Sequence, residues 1–334
     1  MIISRTPLRI SFTGGGSDLP AFYRQEQGAV LSTTINKYIY ITVNRKFDEQ
    51  IRASYSITEI VDSVDELRHE LIREALKLVY HPPCGIEITS ISDIPSRGTG
   101  LGSSSTYTVG LLNSLYAHLG QSVGAERLAR EACTIEIERC QKPIGKQDQY
   151  IAAYGGLKFI RFNPDESVFV DPVICTAETR QSLQANLLLL YTGLTRSADT
   201  ILEEQGLNTE NDQASRASLS RMTRQAWQMR EALQANDLRG FGEILHEGWL
   251  DKKNLASGIT SPEIDEWYET ARRHGALGGK ILGAGGGGFL LLCAPPDRFQ
   301  DITSALPLLR PVPFQFEPQG SKIIYVEESE ACGS

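Results

Sequence analysis

The sequence feature that most limits how this chain can fold is the glycine- and serine-rich stretch from Pro95 to Ser105. It follows a strand-like run, Ile86 to Ser92, and precedes Tyr107 to Leu119, where apolar residues recur at helical spacing. Glycines let a phosphate approach the main chain closely, and a helix start offers free N–H groups and a positive dipole end. The stretch therefore predicts either a nucleotide-phosphate loop or an ordinary capped turn between a strand and a helix.

Two other phosphate-binding patterns do not fit this chain. A Walker loop ends in Gly-Lys-Ser or Gly-Lys-Thr, but Gly279-Lys280 is followed by Ile281. The run from Gly283 to Gly288 matches the letters of a dinucleotide-binding fingerprint, which must open a helix. Because Phe289 to Cys293 has the composition of a buried strand instead, we exclude a dehydrogenase.

Glycines interrupt strand-like sequence at three places along the chain. The run Gly14-Gly15-Gly16-Ser17-Asp18 follows the short strand Leu8 to Phe12, and the last cluster lies near the end of the chain. In order and separation these segments resemble the GHMP kinase family, named for its galacto-, homoserine, mevalonate and phosphomevalonate kinases. The matching segments are Pro7 to Asp18, Pro95 to Ser105, and Lys280 to Gly288.

Within that family the chain is similar to the sugar kinases that act on D-glycero-D-manno-heptose 7-phosphate. The segments that carry this likeness are Gly14 to Pro20, Gly145 to Tyr150, Leu189 to Ala198, and Lys280 to Phe289. L-fucose kinases share a similar glycine opening, usually within a longer chain that also carries a nucleotide-transferase part. We expect no such part within these 334 residues.

The resemblance implies an α+β, two-lobe GHMP kinase fold with the active site between the lobes. The N-terminal lobe would be like ribosomal protein S5 and the C-terminal lobe ferredoxin-like. The turn Asn163 to Glu166 is the expected boundary, so residues 1–165 form the nucleotide-binding and catalytic lobe and residues 166–334 the C-terminal lobe. The polar stretch from Gly206 to Ser215 is expected to be a loop before the long helices Ala217 to Ala235 and Leu238 to Leu250.

The resemblance also implies ATP and Mg²⁺ as cofactors. Ser104 would reach the metal ion, and Glu138 would supply the second ligand, with Glu136 as the alternative. The other interpretation of Glu138 is a solvated helix carboxylate. The residues expected around the nucleotide phosphates are Gly98, Gly100, Leu101, Gly102, Ser103, Ser104 and Ser105.

Asp148 is the carboxylate expected to do the chemistry. It lies in the turn-like segment that begins at Pro143, and it would accept or orient the proton of the attacking hydroxyl. Arg9 matches the cation that these kinases place near the catalytic Asp and the transferred phosphoryl group. A turn-forming Asp is the other interpretation of Asp148, and Arg5 is a competing cation.

The expected substrate-binding residues come from three parts of the chain. Asp18 would accept hydrogen bonds from sugar hydroxyls, although it could equally form a turn after the glycines. Arg196 and Lys280 are the candidates for a phosphate already present on the sugar, and either could be a solvated charge. The complete set is Gly15, Gly16, Ser17, Asp18, Arg196, Lys280, Gly285, Gly286 and Gly287.

The composition of the chain limits the classes of molecule that it is expected to bind. A formal charge of −8 argues against general binding of nucleic acid or anionic membranes. No run approaches the roughly 18 apolar residues of a membrane span, and the start of the chain lacks a secretory signal. The six cysteines form no CxxC or Cys-His cluster. We expect a cytoplasmic protein without structural zinc or disulfides. Its expected partners are a phosphosugar and ATP, and a homodimer is one possible assembly.

These expectations describe an ATP-dependent kinase for the anomeric C1 hydroxyl of D-glycero-D-manno-heptose 7-phosphate. Its product, the 1,7-bisphosphate, would feed GDP-heptose and surface polysaccharide synthesis. One alternative is a 1-kinase of an unphosphorylated sugar such as L-fucose or free heptose. The other is a non-catalytic sugar sensor on the same fold.

Overall fold

The computed structural model describes residues 1–79, 85–95, 98–195 and 197–327. The strands are β1 (Ile2–Thr13), β2 (Gly28–Arg45), β3 (Ile51–Ser54), β4 (Thr58–Val61), β5 (Ile86–Ser92), β6 (Lys158–Phe162), β7 (Val168–Pro172), β8 (Leu187–Tyr191), β9 (Gly278–Ile281), β10 (Phe289–Cys293), β11 (Arg310–Pro311) and β12 (Lys322–Val326). The helices are α1 (Pro20–Tyr23), α2 (Glu70–Val79), α3 (Ser103–His118), α4 (Ala125–Cys133), α5 (Gln147–Tyr154), α6 (Ala177–Ala185), α7 (Ala198–Asn211), α8 (Gln213–Gln234), α9 (Leu238–Lys253), α10 (Pro262–Arg273) and α11 (Phe299–Ala305). A π-helical segment, Thr134–Arg139, continues α4, and 3₁₀ turns occur at Val64–Glu66 and Pro296–Arg298.

The N-terminal lobe is built on a mostly antiparallel sheet with the order β12-β1-β2-β5-β3-β4. Its long strand β2 is rich in β-branched and aromatic residues, which favour extended backbone. The first part of β2 pairs with β6, its last part pairs with β5, and β7 pairs with β6. Helix α3 packs against β1 and β2 and is buried along most of its length, so the glycine-rich loop before it is attached to a rigid core.

The C-terminal lobe contains an antiparallel sheet with the order β11-β8-β10-β9. Strand β8 is four leucines followed by Tyr191, and β10 is Phe289, three leucines and Cys293; nearly all of these side chains are buried. A strand buried on both faces needs such a continuous apolar run rather than alternation. Helix α9 packs against β9 and pairs with α8, which places its last turn beside the cleft between the lobes.

Two expectations about organisation need correction. Strand β7 follows residue 165 but pairs with β6, and β12 returns from the end of the chain to pair with β1. Residues on both sides of the expected 165–166 boundary therefore share the N-terminal sheet. The stretch from Gly206 to Ser215, expected to be a loop, is instead the end of α7 and the start of α8.

Helix α7 was not recognisable from apolar spacing because two of its buried positions are polar. Ile201, Gln205 and Thr209 lie four residues apart on its buried face.

None of the helices in the described part of the chain combines the length and the apolar composition that a membrane-spanning helix needs.

Candidate active site between the lobes

A cleft of about 1510 Å³ opens between the two lobes. The N-terminal lobe contributes β1, the first two glycine-rich segments and α5, and the C-terminal lobe contributes α7, the end of α9 and the loop after β9. One group of lining side chains is apolar or aromatic and includes Tyr55, Ile91, Ile94 and Tyr107. A second group is charged and includes Arg9, Asp18, Asp148, Lys252 and Lys280.

The loop from Gly98 to Gly102 adopts a conformation that requires glycine. Gly98, Gly100 and Gly102 have φ angles of 67°, 74° and 74°. A Cβ on Gly100 would lie only 2.2 Å from the carbonyl oxygen of Leu282, so any side chain there would displace the backbone of the other lobe. The loop lines the cleft and leads directly into α3, whose first N–H groups have no partner within the helix.

The expected nucleotide-binding residues are brought together at this loop, with one exception of detail. The glycines and the three serines from Ser103 to Ser105 line the cleft. Leu101 does not, because its side chain is buried and its carbonyl accepts from the backbone N–H of Arg9 at 3.1 Å. Thr99, which sequence analysis did not single out, also lines the cleft, and its hydroxyl lies 3.2 Å from that of Ser103. This arrangement presents main-chain N–H groups and hydroxyls to an anion.

Glu136, not Glu138, faces the serines. The Ser104 hydroxyl donates a 2.5 Å hydrogen bond to the fully buried Glu136, whose other oxygen accepts from Gln149 Nε2 at 2.6 Å. Burial raises the pKa of Glu136, and the hydrogen bonds from the serines and Gln149 oppose that shift.

Glu138 is exposed and lines a separate cavity beside Arg130, so the expectation that it lies next to Ser104 is corrected. The reason is geometric, because side chains two positions apart on a helix point in different directions.

Arg9 and Asp148 form a two-bond ion pair at the mouth of the glycine-rich loop. Arg9 Nε and Nη2 donate to the two oxygens of Asp148 at 2.7 and 2.6 Å. The third nitrogen, Nη1, donates to the carbonyl of Gly100 at 2.5 Å. Arg9 is 4 % exposed while the Asp148 side chain keeps 22 %, so the arginine is fixed in the wall and the carboxylate faces the cleft.

Asp18 lies in the cleft wall, but its carboxylate is already engaged. It accepts from the backbone N–H of Gly16 at 2.9 Å, and from the backbone and side-chain nitrogens of Gln147 at 3.1 Å each. Burial raises its pKa. Asp18 thus ties the first glycine-rich segment to the start of α5, directly beside Asp148.

Ser17 does not face the cleft, which corrects the expectation that it binds substrate. Its hydroxyl is fully buried and donates to the carbonyl of Gly14 at 2.7 Å, closing the glycine turn from behind. Gly15 and Gly16 do line the cleft. A Cβ on Gly16 would lie 2.2 Å from Nε2 of Gln205, which is buried in the cleft wall and has no hydrogen-bond partner within the described residues.

Glycines 283 to 288 join the two lobes. A Cβ on Gly283 would lie 2.4 Å from Gly100 Cα, and one on Gly288 would lie 2.4 Å from the carbonyl oxygen of Thr99. The middle of the loop turns away, because the N–H of Gly286 donates to the carbonyl of Ile259 at 2.8 Å.

Gly285 and Gly287 likewise pack on Ile259 and Leu194, and Gly283 and Ala284 line the cleft instead. The expectation that glycines 285 to 287 contact the substrate is therefore corrected.

Two buried lysines of the C-terminal lobe complete the charged wall. Lys280 donates to the carbonyl of Phe12 at 3.1 Å, and burial followed by the charges of Lys252 and Arg9 lowers its pKa well below the ordinary value. Lys252 donates to the carbonyl of Gly283, and burial followed by the charge of Arg9 lowers its pKa to about 8. Arg196 lies outside the described residues.

Lys252 was missed by sequence analysis, although one signal was available. Leu245, Trp249 and Lys252 recur at helical spacing on the buried face of α9. A lysine at an apolar-face position has an unusual environment, since lysines are almost never fully buried without a partner.

Comparison with known proteins supplies the family. The chain matches the GHMP kinases N terminal domain over residues 69–156 and the GHMP kinases C terminal domain over residues 229–308. It is 30% identical over 316 residues to the D-glycero-alpha-D-manno-heptose 7-phosphate kinase of Campylobacter jejuni, covering 91% of this chain and 93% of that protein. The chain belongs to the GHMP kinase family. It is therefore a phosphotransferase of a family that uses ATP and Mg²⁺.

The relatives also confirm the two-lobe α+β fold of a GHMP kinase. The solved structure of a D-glycero-D-manno-heptose 1-phosphate kinase from Bacteroides thetaiotaomicron superimposes with a TM-score of 0.81 at 26% identity, covering 98% of this chain and 100% of that one. The L-fucokinase/L-fucose-1-P guanylyltransferase of Bacteroides fragilis is 27% identical over 88% of this chain but 34% of its own length. The GHMP kinase therefore resembles sugar kinases along nearly its whole length.

Proposed function

We propose that this GHMP kinase transfers the γ-phosphoryl group of Mg-ATP to the C1 hydroxyl of D-glycero-D-manno-heptose 7-phosphate. The observation that carries the proposal is the Arg9–Asp148 pair at the mouth of the glycine-rich loop, where a phosphate on the loop would meet a hydroxyl on the carboxylate. The relative from Campylobacter jejuni, whose name specifies this sugar phosphate, supports the choice of acceptor.

The donor nucleotide would lie along the N-terminal wall. The N–H groups of the Gly98–Gly102 loop and of the first turn of α3 would hold its phosphates. The apolar and aromatic group that includes Tyr55, Ile91 and Tyr107 suits a nucleobase, which needs flat apolar contacts.

Ser104 and Glu136 fit a magnesium ion. Both offer oxygen atoms, which Mg²⁺ prefers, and they already face each other across a 2.5 Å hydrogen bond beside the phosphate loop. Few protein ligands are needed, because Mg²⁺ at such sites is held mainly by phosphates and water. When bound, the ion would neutralise charge on the transferred phosphate.

The chemistry then falls to the ion pair. Asp148 would accept the proton of the C1 hydroxyl while the hydroxyl oxygen forms a bond to phosphorus and the bond from phosphorus to the ADP oxygen breaks. Arg9 would hold the carboxylate in position with two hydrogen bonds and keep a positive charge near the departing phosphoryl group. Asp18 would act indirectly, by holding the backbone beside Asp148.

The acceptor would lie against the charged wall. Lys280, which lines the cleft, and Arg196 are the proposed contacts for the 7-phosphate. The amide nitrogen of Gln205, which has no hydrogen-bond partner within the described residues, would bind a sugar hydroxyl. The product would enter GDP-heptose and surface polysaccharide synthesis. We also propose that the enzyme works in the cytoplasm.

A second acceptor class is an unphosphorylated sugar such as L-fucose or free heptose, which the 27% identity to a fucokinase supports. The deciding assay measures ADP release with Mg-ATP over heptose 7-phosphate, free heptose, L-fucose, galactose and mevalonate. Turnover confined to heptose 7-phosphate supports the main proposal. Preference for an unphosphorylated sugar refutes the 7-phosphate contacts, and ATP binding without turnover of any sugar points to a sensor.

A further inference from the structure

Lys252 occupies a position that the scheme above does not use. Trp249 and Lys252 share the buried face of α9, and the lysine side chain extends from the C-terminal lobe to the carbonyl of Gly283. Gly283 in turn packs directly on Gly100, whose carbonyl binds Arg9. The ammonium group is therefore held at the corner where the phosphate loop, the last glycine loop and the ion pair meet.

The charges around this ammonium are unbalanced. Arg9, Asp18 and Asp148 act on Lys252, and the charges of Lys252 and Arg9 act on its neighbour Lys280. Asp148 is already engaged by Arg9, and Asp18 accepts backbone N–H groups. Neither lysine forms a salt bridge within the described residues. Each uses one of its three donors on a main-chain carbonyl.

A buried cation without a carboxylate partner is costly unless an anion joins it. In a cleft that holds ATP, the available anion is a phosphoryl group. Lys252 bonds the carbonyl of Gly283, which packs on Gly100 of the phosphate loop, whereas Lys280 bonds the carbonyl of Phe12 in β1. This difference assigns Lys252 to the phosphate that meets Asp148 and leaves Lys280 for a phosphate farther along the acceptor.

We propose that Lys252 is a further catalytic residue, whose ammonium contacts the phosphoryl group during its transfer from ATP. The lysine exchanges no atoms in the reaction. One phosphorus–oxygen bond to ADP breaks, one to the acceptor oxygen forms, and the acceptor proton passes to Asp148, while Lys252 keeps its proton and supplies positive charge. The proposal rests on the kinase reaction proposed above, but not on the identity of the sugar.

The environment of Lys252 also predicts a pH dependence. Burial and the charge of Arg9 lower the pKa of Lys252 to about 8, so the free enzyme loses this charge as the pH rises through 8. The negative charges of Asp18 and Asp148 oppose that shift, and Lys280 is the neighbouring buried cation. We expect kcat/KM to fall above pH 8, because the uncharged amine cannot stabilise the phosphoryl group.

The test compares Lys252→Met with Lys253→Met. The neighbouring Lys253 pairs with Asp265 at 3.1 Å, does not line the cleft, and so controls for loss of a charge at the end of α9. We expect Lys252→Met to lower kcat about 10²- to 10³-fold, the loss typical of one removed electrostatic contact, with acceptor KM within a few-fold. Lys252→Arg should keep part of the rate and move the alkaline limb above pH 10, since arginine stays charged.

A second measurement does not need the acceptor. Aluminium fluoride with Mg-ADP mimics a phosphoryl group in transfer, and calorimetry should find that it binds the wild-type and Lys253→Met proteins more tightly than Mg-ADP alone. Lys252→Met should lose most of that gain. If none of the sugars is turned over but this difference persists, the proposed acceptor fails while the role of Lys252 stands.

Three results would overturn the proposal. One is an unchanged kcat in Lys252→Met with a raised KM only for phosphorylated acceptors, which would place Lys252 on the acceptor phosphate. Another is an equal loss in Lys253→Met, which would indicate a packing effect at the end of α9. The third is an alkaline limb that stays in place in Lys252→Arg, a variant that also serves if Lys252→Met does not fold.

Discussion

Replacing Asp148 with asparagine tests the centre of the site with the smallest change in shape. The substitution keeps the side-chain volume but removes the negative charge and one of the two oxygens that accept from Arg9. An amide cannot take the acceptor proton. The variant should therefore lose the chemical step and weaken the anchoring of Arg9, while the loop from Gly98 to Gly102 is left intact.

The size of each effect follows from the structure. Proton transfer by a positioned side chain contributes about 10²- to 10⁴-fold, so kcat should fall by that factor, or about 3–5 kcal/mol in the barrier. Removing one partner of a buried ion pair costs about 3–5 kcal/mol of folding stability. Because the Asp148 side chain keeps 22 % exposure beside an open cleft, we expect a smaller loss of folding stability, about 1–3 kcal/mol.

The assay combines steady-state kinetics, calorimetry with Mg-ATP and thermal unfolding. Asp165→Asn is the matched control, because Asp165 lies in an exposed turn outside the cleft and accepts hydrogen bonds from the backbone and hydroxyl of Ser167. ATP affinity should stay within a few-fold of wild type in both variants. A rate for Asp148→Asn above a tenth of wild type would refute the catalytic role assigned to this carboxylate.

Three further substitutions test the parts around it. Glu136→Gln should raise the Mg²⁺ concentration needed for half-maximal rate at least tenfold, and Glu138→Gln should not. The measurement is a titration of rate against free Mg²⁺, and an equal shift in both variants would contradict the metal assignment. Gly100→Ala should weaken ATP binding and lower the melting temperature more than Gly120→Ala. Both glycines have φ above 70°, but only Gly100 would also collide with the other lobe. Asp18→Asn should lower kcat and stability together, because its amide would face a backbone donor; a change in KM alone would show that this side chain binds sugar directly.

Sequence patterns predicted the parts of the site that depend on backbone conformation. A loop with glycines at positions 98, 100 and 102 before a serine-rich helix start can be recognised from composition, because φ angles near +70° strongly favour glycine. Arg9 and Asp148 came from the family resemblance. Their contact across 139 residues could not be derived from spacing along the chain.

Choices between neighbouring residues were decided by the tertiary structure. Glu136 and Glu138 are chemically identical and two positions apart, and only the packing of the π-helical segment turns Glu136 toward Ser104. Similarly, Ser17 follows the glycines as closely as Asp18 does, yet the turn buries its hydroxyl behind Gly14. A sequence lists these candidates without showing which way each side chain points.

The order of the motifs in the sequence indicated the family, and the resemblance to that family implied the two-lobe α+β fold. Local composition located the glycine-rich loop, because a backbone with positive φ favours glycine. Only the tertiary structure decided which strands share a sheet across residue 165, and that Lys252 reaches the cleft. Pairing and burial join segments far apart in the chain. Lys252 therefore comes to lie beside Arg9 and Gly283 only when α9, β1 and the last glycine loop have packed together.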